Sequence, residues 1–244
     1  MITAASNSRI KRLVQLNQKS KLRRTEDVFL AEGVKMFLEA PREQLQEVYV
    51  SESFLEKCSC REHLEEVGYE VVSDSVFSKI SDTCTPQGVL CVLKQFHYNI
   101  EEMLRDKAPL FLLLENIQDP GNLGTMLRTG EGAGVSGIIM SRDTVDLYNP
   151  KVIRSTMGSI YRVPFYYADD FAAAVHQVQR AGVSVYAAHL RGKNSYACQD
   201  YTKGTAFLIG NEGNGLREET AELADCYIRI PMEGKVCLLY TSDA

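Results

Sequence analysis

Residues 110–134 constrain the fold most, because a buried strand, a polar loop and a helix follow one another there. Residues 110–114 are consecutive apolar residues, which indicates a buried strand. Asp119 and Pro120 favour a helix start, since Asp can cap a helix and Pro has the backbone angle of its first turn. Arg128 then falls near the amino-terminal end of the predicted helix, where a cation opposes the helix dipole. Because stability alone would disfavour that Arg, we interpret the segment as a binding site.

The composition is that of an ordinary globular chain. Its 244 residues suffice for one large domain or two modest ones, and 45% are hydrophobic and 24% charged. No apolar run approaches the ~20 residues that a membrane-spanning helix needs. The seven cysteines are scattered, and neither they nor the histidines show zinc-ligand spacing. We therefore expect reduced thiols in the cytoplasm, no metal and no membrane contact.

Positive charge is concentrated at the amino terminus. Residues 1–35 contain eight Lys or Arg against three acids, although the whole chain carries a net charge of −5. A basic arm on an acidic body favours a phosphate-rich partner that binds at one end. The alternative is a helix face that is merely solvated.

The pattern of apolar residues predicts two α/β domains. Residues 1–95 read as a small α/β domain with the basic arm, and the polar segment 96–108 reads as a linker. From residue 109 to 236, strands alternate with helices, which predicts a parallel sheet covered on both faces. Among the individual elements, we predict a helix over 53–66, a strand over 162–166 and a short turn of helix near 195–200.

Two glycine-rich segments are candidate binding loops. Residues 132–137 match the dinucleotide pattern G-x-G-x-x-G, but they follow a helix and precede a strand, which is the wrong context. We interpret these glycines as a helix end and set aside a nucleotide-dependent oxidoreductase. Residues 210–217 instead follow an apolar strand, where open α/β sheets bind ligands, and Glu212 is the acid in that loop.

A third loop follows the strand that ends at Ile230, and the three loops together carry a resemblance. The first has Asn116, then Pro-Gly-Asn-Leu-Gly at 120–124, then Arg128. The second is Ile-Gly-Asn-Glu-Gly at 209–213, and the third begins with Ile-Pro-Met at 230–232. In this order they resemble the three motifs of the SpoU (TrmH-type) branch of the SPOUT methyltransferases. Residues 8–95 more weakly resemble the substrate-binding domain that precedes the catalytic domain in this family.

The resemblance implies methyl transfer from S-adenosylmethionine to a ribose 2′-hydroxyl of RNA by a homodimer. It also implies an α/β fold in which a parallel-sheet SPOUT domain with a trefoil knot follows a small α/β substrate-binding domain. Ribosomal RNA is the expected substrate, and transfer RNA is the alternative. A different alternative is an RNA-binding protein without catalytic activity.

The resemblance also implies roles for individual residues. Arg128 would lie beside the 2′-hydroxyl and the adjacent phosphate, and Asn116 and Glu212 would orient this Arg and the ribose. An Arg stays protonated, so we expect it to lower the pKa of the hydroxyl by its charge. The implied cofactor-binding residues are Ala188, Gly210, Ile230 and Leu239.

The last eight residues, 237–244, depart from the family pattern. The family continues with a Ser-Leu-Asn segment and a helix, but Tyr240 stands where the Asn is expected. These residues reverse-translate into a sequence similar to a transposase adapter used for sequencing libraries. We therefore expect a non-native tail, an incomplete knot, and impaired cofactor binding, dimerisation and activity.

Overall fold

The structure, a computed structural model, describes residues 1–231, which fall into two compact units. The first unit comprises Met1–Phe96 and Asp146–Tyr161. The second comprises His97–Val145 and the described chain from Arg162 onward, which ends at residue 231. Residues 146–161 are therefore a segment of the first unit that lies, in sequence, within the second.

The helices and strands follow one another as in an α/β chain. Up to residue 96 they are α1 (Ser8–Gln18), α2 (Ser20–Glu26), β1 (Val28–Glu32), α3 (Val34–Leu38), β2 (Leu45–Ser51), α4 (Glu52–Lys57), α5 (Arg61–Val67), β3 (Glu70–Val72), α6 (Asp74–Ile80) and β4 (Val89–Lys94). Beyond it they are α7 (Ile100–Met103), β5 (Leu110–Leu114), α8 (Pro120–Ala133), β6 (Gly137–Ser141), α9 (Pro150–Thr156), β7 (Phe165–Ala168), α10 (Phe171–Arg180), β8 (Ser184–Ala188), β9 (Asn194–Ser195), β10 (Thr205–Ile209), α11 (Glu218–Ala221) and β11 (Cys226–Arg229).

The first unit is built on a mixed four-stranded sheet in the order β1-β4-β2-β3. β4 is antiparallel to both of its neighbours, and β2 pairs with β3 in parallel. Helix α1 buries Ile10, Leu13 and Leu16 at helical spacing in the core of this unit. The same core takes Val76, Phe77 and Ile80 from α6, so the two helices share the apolar side chains that hold them on the sheet.

Segment 146–161 is held in the first unit by polar and aromatic contacts. The Tyr148 ring lies 4.9 Å from the Phe29 ring, and the Tyr161 hydroxyl donates to the Met36 carbonyl at 3.0 Å. Buried Arg23 donates to Asp146 Oδ2 at 2.5 Å and to the Leu16 carbonyl at 2.6 Å. This cation therefore joins α1, α2 and segment 146–161.

The second unit contains a seven-stranded sheet in the order β7-β6-β5-β10-β8-β11-β9. Every pairing in it is parallel. Apolar residues of β5, β8 and β10 form its core together with Ala174, Val175 and Val178 of α10. The predicted α/β class, with a parallel carboxyl-terminal sheet after a small α/β domain, is confirmed.

Three predicted elements differ in detail. The predicted helix 53–66 is two helices, because residues 58–60 (Cys-Ser-Cys) are poor helix formers and Cys58 has an extended backbone. The predicted strand 162–166 begins only at Phe165, since Pro164 has no amide hydrogen for a sheet ladder. Near 195–200, a turn of 3₁₀ helix (Tyr196–Cys198) is present, but the two-residue strand β9 comes directly before it.

Several sequence-based expectations concern residues beyond 231. The knot, Leu239 and the tail 237–244 all lie outside the described residues. Among the described helices, none is long and apolar enough to cross a membrane.

The buried ion pair of Arg23 predicts a specific loss of stability. We expect Asp146→Asn to lower the free energy of unfolding by about 2 kcal/mol, because Arg23 is left buried without its counter-charge. This is less than the ~3–5 kcal/mol of a fully buried pair, since the Asp146 side chain is 30% exposed. Urea unfolding of the two proteins measures the difference.

The matched control is Glu70→Gln, which removes the carboxylate of an exposed ion pair with Arg9. Exposed pairs contribute below ~1 kcal/mol, so this variant should unfold nearly as the parent does. Equal losses in the two variants would contradict the stabilising role of the Arg23 pair.

Candidate functional site

The strand order places the candidate loops side by side. β5 and β10 are neighbours in register, with Leu114 opposite Ile209 at their carboxyl ends. β8 is the next strand, and its last residue, Ala188, lies opposite Ile228 of β11. Chain order reverses between β5 and β10, the position at which open parallel sheets bind ligands outside the strand ends. The loops after residues 114, 188, 209 and 229 therefore open at one edge of the sheet.

Asn116 has an unusual backbone, with φ of +55°. Asn is one of the few non-glycine residues that adopt this left-handed conformation with some ease. Three hydrogen bonds hold it: its amide donates to Ser141 Oγ at 2.8 Å, Gln118 donates to its Oδ1 at 2.6 Å, and Asn211 donates to its carbonyl at 2.8 Å. The position of Asn116 is therefore fixed by residues after β5 and β10 and by the last residue of β6.

Helix α8 begins and ends as its sequence predicts. Asp119 Oδ1 accepts a hydrogen bond from the Asn122 amide at 2.8 Å, and Pro120 is the first helical residue. Gly134 ends the helix with φ of +73°. Residues 132–137 thus form a helix end and turn, which confirms the interpretation of the glycine pattern.

Arg128 is exposed. The prediction that its charge opposes the helix dipole is wrong. Arg128 is the ninth of the 14 residues of α8, whereas the dipole effect is confined to the first and last turns. Within residues 1–231, its guanidinium has no hydrogen bond or ion pair. Its donors are thus available to a ligand as far as the described chain is concerned.

Glu212 joins the first and second loops, and it is buried. Its carboxylate accepts hydrogen bonds from the amides of Gln118 and Asp119, each at 3.0 Å. The side chains of Asn122 and Asn211 donate to it at 3.2 and 3.3 Å. The expected contact with Arg128 is not among the interactions of the described residues, so Glu212 holds the loop before α8 instead.

Burial and hydrogen bonding act on the pKa of Glu212 in opposite directions. Burial raises the pKa, but the hydrogen bonds from Asp119 and Gln118 favour the charged form more strongly. The pKa of Glu212 therefore lies below its ordinary value of 4.5. The carboxylate remains charged at neutral pH, as four converging donors require.

The second loop folds back on the end of β10. Asn211 and Gly215 exchange backbone hydrogen bonds of 3.0 and 2.9 Å. A Cβ on Gly210 would lie 2.2 Å from backbone atoms of Gly215 and Leu216, so only glycine fits at this position. This close approach turns the loop so that Glu212 points at the first loop.

A cavity of about 240 Å³ lies in the second unit at these strand ends. Three of the predicted cofactor residues, Ala188, Gly210 and Ile230, line it. The apolar side chains of Leu190 and Ile230 are exposed there. The fourth predicted residue, Leu239, and the third loop beyond Pro231 lie outside the described residues.

A second polar network, which the sequence did not reveal, is centred on Glu115. This carboxylate is only 1% exposed and accepts from the Arg217 amide at 2.8 Å and from the Thr220 hydroxyl at 2.5 Å. The guanidinium of Arg217 reaches both Glu115 and Asp143. An acid directly after an apolar strand was the available signal, but the sequence does not reveal its partners 102 and 105 residues away.

Asp143 connects this network to Asn116. Its Oδ1 accepts a hydrogen bond from the Ser141 hydroxyl at 2.5 Å, and Ser141 Oγ in turn accepts a hydrogen bond from the Asn116 amide. Burial raises the pKa of Asp143, but the bonds from Ser141 and Arg217 lower it below its ordinary value. Two carboxylates, Glu115 and Glu212, therefore fix the first loop from both sides.

Residues 1–231 contain no group of three or more His, Cys, Asp or Glu side chains that could hold a metal ion.

We expect Glu212→Gln to lower the free energy of unfolding by about 1–3 kcal/mol at neutral pH. The NH₂ group of Gln is a donor, and it would face the four donors that now bind the carboxylate. A carboxylate with a depressed pKa adds stability above its ordinary pKa, and this is lost as pH falls through the folded-state value. The difference between variant and parent should therefore shrink below pH 4.5. Urea unfolding of the variant and the parent, at neutral pH and below pH 4.5, tests this.

Glu222→Gln is the control, since Glu222 is exposed and its side chain has no hydrogen bond or ion pair within the described chain. It should match the parent at both pH values. A Glu212 variant as stable as this control at neutral pH would refute the central role of the carboxylate.

Comparison with known proteins identifies the family. The model of the SpoU rRNA Methylase family matches residues 109–239, and that of the MRM3-like substrate binding domain matches residues 7–91. The 23S rRNA (guanosine(2553)-2′-O)-methyltransferase RlmP of Bacillus subtilis (strain 168) is 30% identical over 237 residues, which cover 96% of this chain and 91% of that protein.

Solved structures agree with this match. The AdoMet-bound rRNA methyltransferase from Sinorhizobium meliloti superposes with a TM-score of 0.82 at 30% identity, covering 98% of this chain and 91% of that one. The SpoU methyltransferase AviRb from Streptomyces viridochromogenes, in complex with AdoMet, has the same fold, with a TM-score of 0.85 at 24% identity over 96% of this chain and 92% of that one. Because a family model covers more than half of the sequence and a relative is 30% identical over nearly all of it, the chain belongs to the SpoU rRNA methylase family.

Proposed function

We propose that this protein transfers a methyl group from S-adenosylmethionine to a ribose 2′-hydroxyl of RNA, with ribosomal RNA as the substrate. The observation that carries the proposal is the junction at Glu212, which binds the loop of Asn116 to the loop that lines the cavity. The names of the Bacillus and Sinorhizobium relatives support the substrate class.

The residues around the cavity suit the cofactor. S-adenosylmethionine, when bound, supplies an electrophilic methyl group on a sulfonium. Backbone at Ala188 and Gly210 offers peptide donors and acceptors, while Leu190 and Ile230 offer exposed apolar surface. Cofactor pockets combine such apolar walls with a few convergent polar groups. We assign Ala188, Gly210 and Ile230 to cofactor binding and expect Leu239 to complete the site.

Arg128 is the proposed catalytic residue. A ribose hydroxyl is a weak acid that must lose its proton as it attacks the methyl group. A guanidinium does not give up its own proton in proteins, so Arg128 lowers the pKa of the hydroxyl by its charge and binds the neighbouring phosphate. Its exposure and the absence of an internal partner within residues 1–231 support this role.

Asn116 and Glu212 are the proposed positioning residues. Asn116 lies where the first loop leaves the strand, and hydrogen bonds from three directions hold it for contact with the ribose. Glu212 orients the segment that leads into α8, and through this helix it sets the position of Arg128. It thereby acts on the Arg indirectly.

The remaining assignments follow from the substrate. We assign residues 1–95 to RNA binding, 96–108 to a linker and 109–236 to catalysis, and we expect a homodimer in the cytoplasm. The rival functions are transfer-RNA methylation and RNA binding without catalysis. Mapping 2′-O-methyl groups in host RNA with and without the gene distinguishes the two RNAs, and labelled methyl transfer in vitro distinguishes catalysis from binding.

We expect Arg128→Ala to lower the rate of methyl transfer by about 10²–10³-fold, the usual cost of removing one group that stabilises developing negative charge. Unfolding should be unchanged because the side chain is exposed. Arg128→Lys keeps the charge but loses the fork of donors, so it should recover part of the rate. Single-turnover transfer of labelled methyl groups measures the rate, and full activity of a folded Ala variant would disprove the assignment.

Gly210→Ala should abolish binding of S-adenosylmethionine, since its Cβ would collide with the backbone of the second loop. Gly132→Ala is the matched control, because a Cβ there meets no atom within 4 Å. Calorimetric titration of both folded variants with the cofactor tests the assignment. Unchanged affinity in the Gly210 variant would exclude this cavity as the site.

A further inference from the structure

The first 25 residues of the chain contain no acid, and seven Lys or Arg lie between residues 8 and 25. In sequence they look equivalent. The structure divides them into two groups that differ in whether an internal carboxylate neutralises the charge.

Three arginines of the segment are already paired within the first unit. Arg9 binds Glu70 at 3.1 Å, and Arg23 is buried against Asp146 at 2.5 Å. Arg12 binds Glu26 at 2.6 Å and Glu47 at 2.7 Å. These cations hold helices α1 and α2 on the unit, and their charge is largely cancelled at the surface.

Four cations remain without an ion-pair partner anywhere in residues 1–231, and all four are exposed: Lys11, Lys19, Lys21 and Arg24. Lys11 projects from the side of α1 opposite to buried Leu13, and Lys21 and Arg24 are neighbours at i, i+3 on α2. Lys19 connects the two helices.

These four cations lie on α1, on α2 and at the residue between the two helices, and we call them together the α1–α2 strip. About 10 Å of helix axis, at ~1.5 Å per residue, separates Lys11 from Gln18 at the end of α1, and Lys19 follows directly. The side chains between Lys11 and Lys19 on the outer face of α1, Gln15 and Gln18, are exposed and uncharged. The strip therefore presents uncompensated positive charge, although the protein as a whole carries −5.

We propose that the α1–α2 strip binds the phosphate backbone of the RNA substrate. Lysine side chains contact phosphates as flexible point charges and carry no base specificity, so the strip supplies affinity rather than choice of nucleotide. The choice of RNA as the partner rests on the proposed function. The unpaired charge of the strip is independent of that function. A strip that is only solvated would leave RNA binding unchanged when its lysines are replaced in the experiment below.

The test compares two triple variants with identical charge changes in the same unit. The first replaces Lys11, Lys19 and Lys21 with Gln. The second replaces Lys57, Lys79 and Lys94 with Gln; these lysines are also exposed but lie outside the strip. Binding of a fluorescein-labelled single-stranded RNA of mixed sequence is measured between about 50 and 200 mM salt, the range in which counterion release dominates.

The strip variant should bind more weakly, with a slope of log K against log salt that is shallower by about two, at ~0.7 per lost phosphate contact on a single strand. The outside variant should keep the parent slope. Equal slopes in the two variants, or no change in either, would overturn the proposal. Thermal unfolding confirms that both variants are folded.

Methyl transfer by the parent protein is measured separately on the same RNA and on ribosomal RNA. If RNA binding depends on the strip but the parent transfers no methyl groups, the proposed enzyme function is refuted and the role of the strip in RNA binding is not. If the parent transfers methyl groups but both triple variants bind RNA equally well, the role of the strip in RNA binding is refuted and the proposed enzyme function is not.

Discussion

The candidate site depends on the buried carboxylate of Glu212. It receives hydrogen bonds from two consecutive amides, those of Gln118 and Asp119, and these belong to the loop that enters helix α8. The strand order places β5 beside β10 but does not set the conformation of the loops that follow. Burying a charge is costly unless hydrogen bonds compensate it, so this acid is stable only when the first loop presents its amides. The second loop therefore selects the conformation of the first.

Glu115 strengthens the same junction from the other side of Asn116. It binds the Arg217 amide and the Thr220 hydroxyl, and the Arg217 side chain extends to Asp143. Asn116 thus sits between two carboxylate networks in a backbone conformation that is uncommon for a residue other than glycine. Strain of this kind persists only where the surroundings impose it, and it is frequent at functional sites. The rigidity of the first loop is consistent with a site that must hold a hydroxyl and a methyl donor at a fixed separation.

The sequence predicted the parts of the molecule that depend on local pattern. Apolar runs located the strands of the parallel sheet, and Asp119-Pro120 and Gly134 located the ends of α8. It did not predict which donors meet Glu212, because partners more than 90 residues away are brought together only by strand order. It also placed Arg128 near the amino-terminal end of α8, although a start at Pro120 puts Arg128 about two turns into the helix.

Charge is the property for which sequence and structure differ most. The run of seven cations in residues 8–25 suggests a single basic arm, yet Arg9, Arg12 and Arg23 are bound to carboxylates that come from four different segments. A paired cation contributes to the stability of its own unit, and only an unpaired one exchanges its counterions for a phosphate. The number of basic residues therefore overstates the charge available to RNA, and the relevant quantity is the part that folding leaves unneutralised. Of the seven cations in residues 8–25, only Lys11, Lys19, Lys21 and Arg24 have no ion-pair partner within residues 1–231, so folding leaves these four able to contact a phosphate without displacing an internal ion pair.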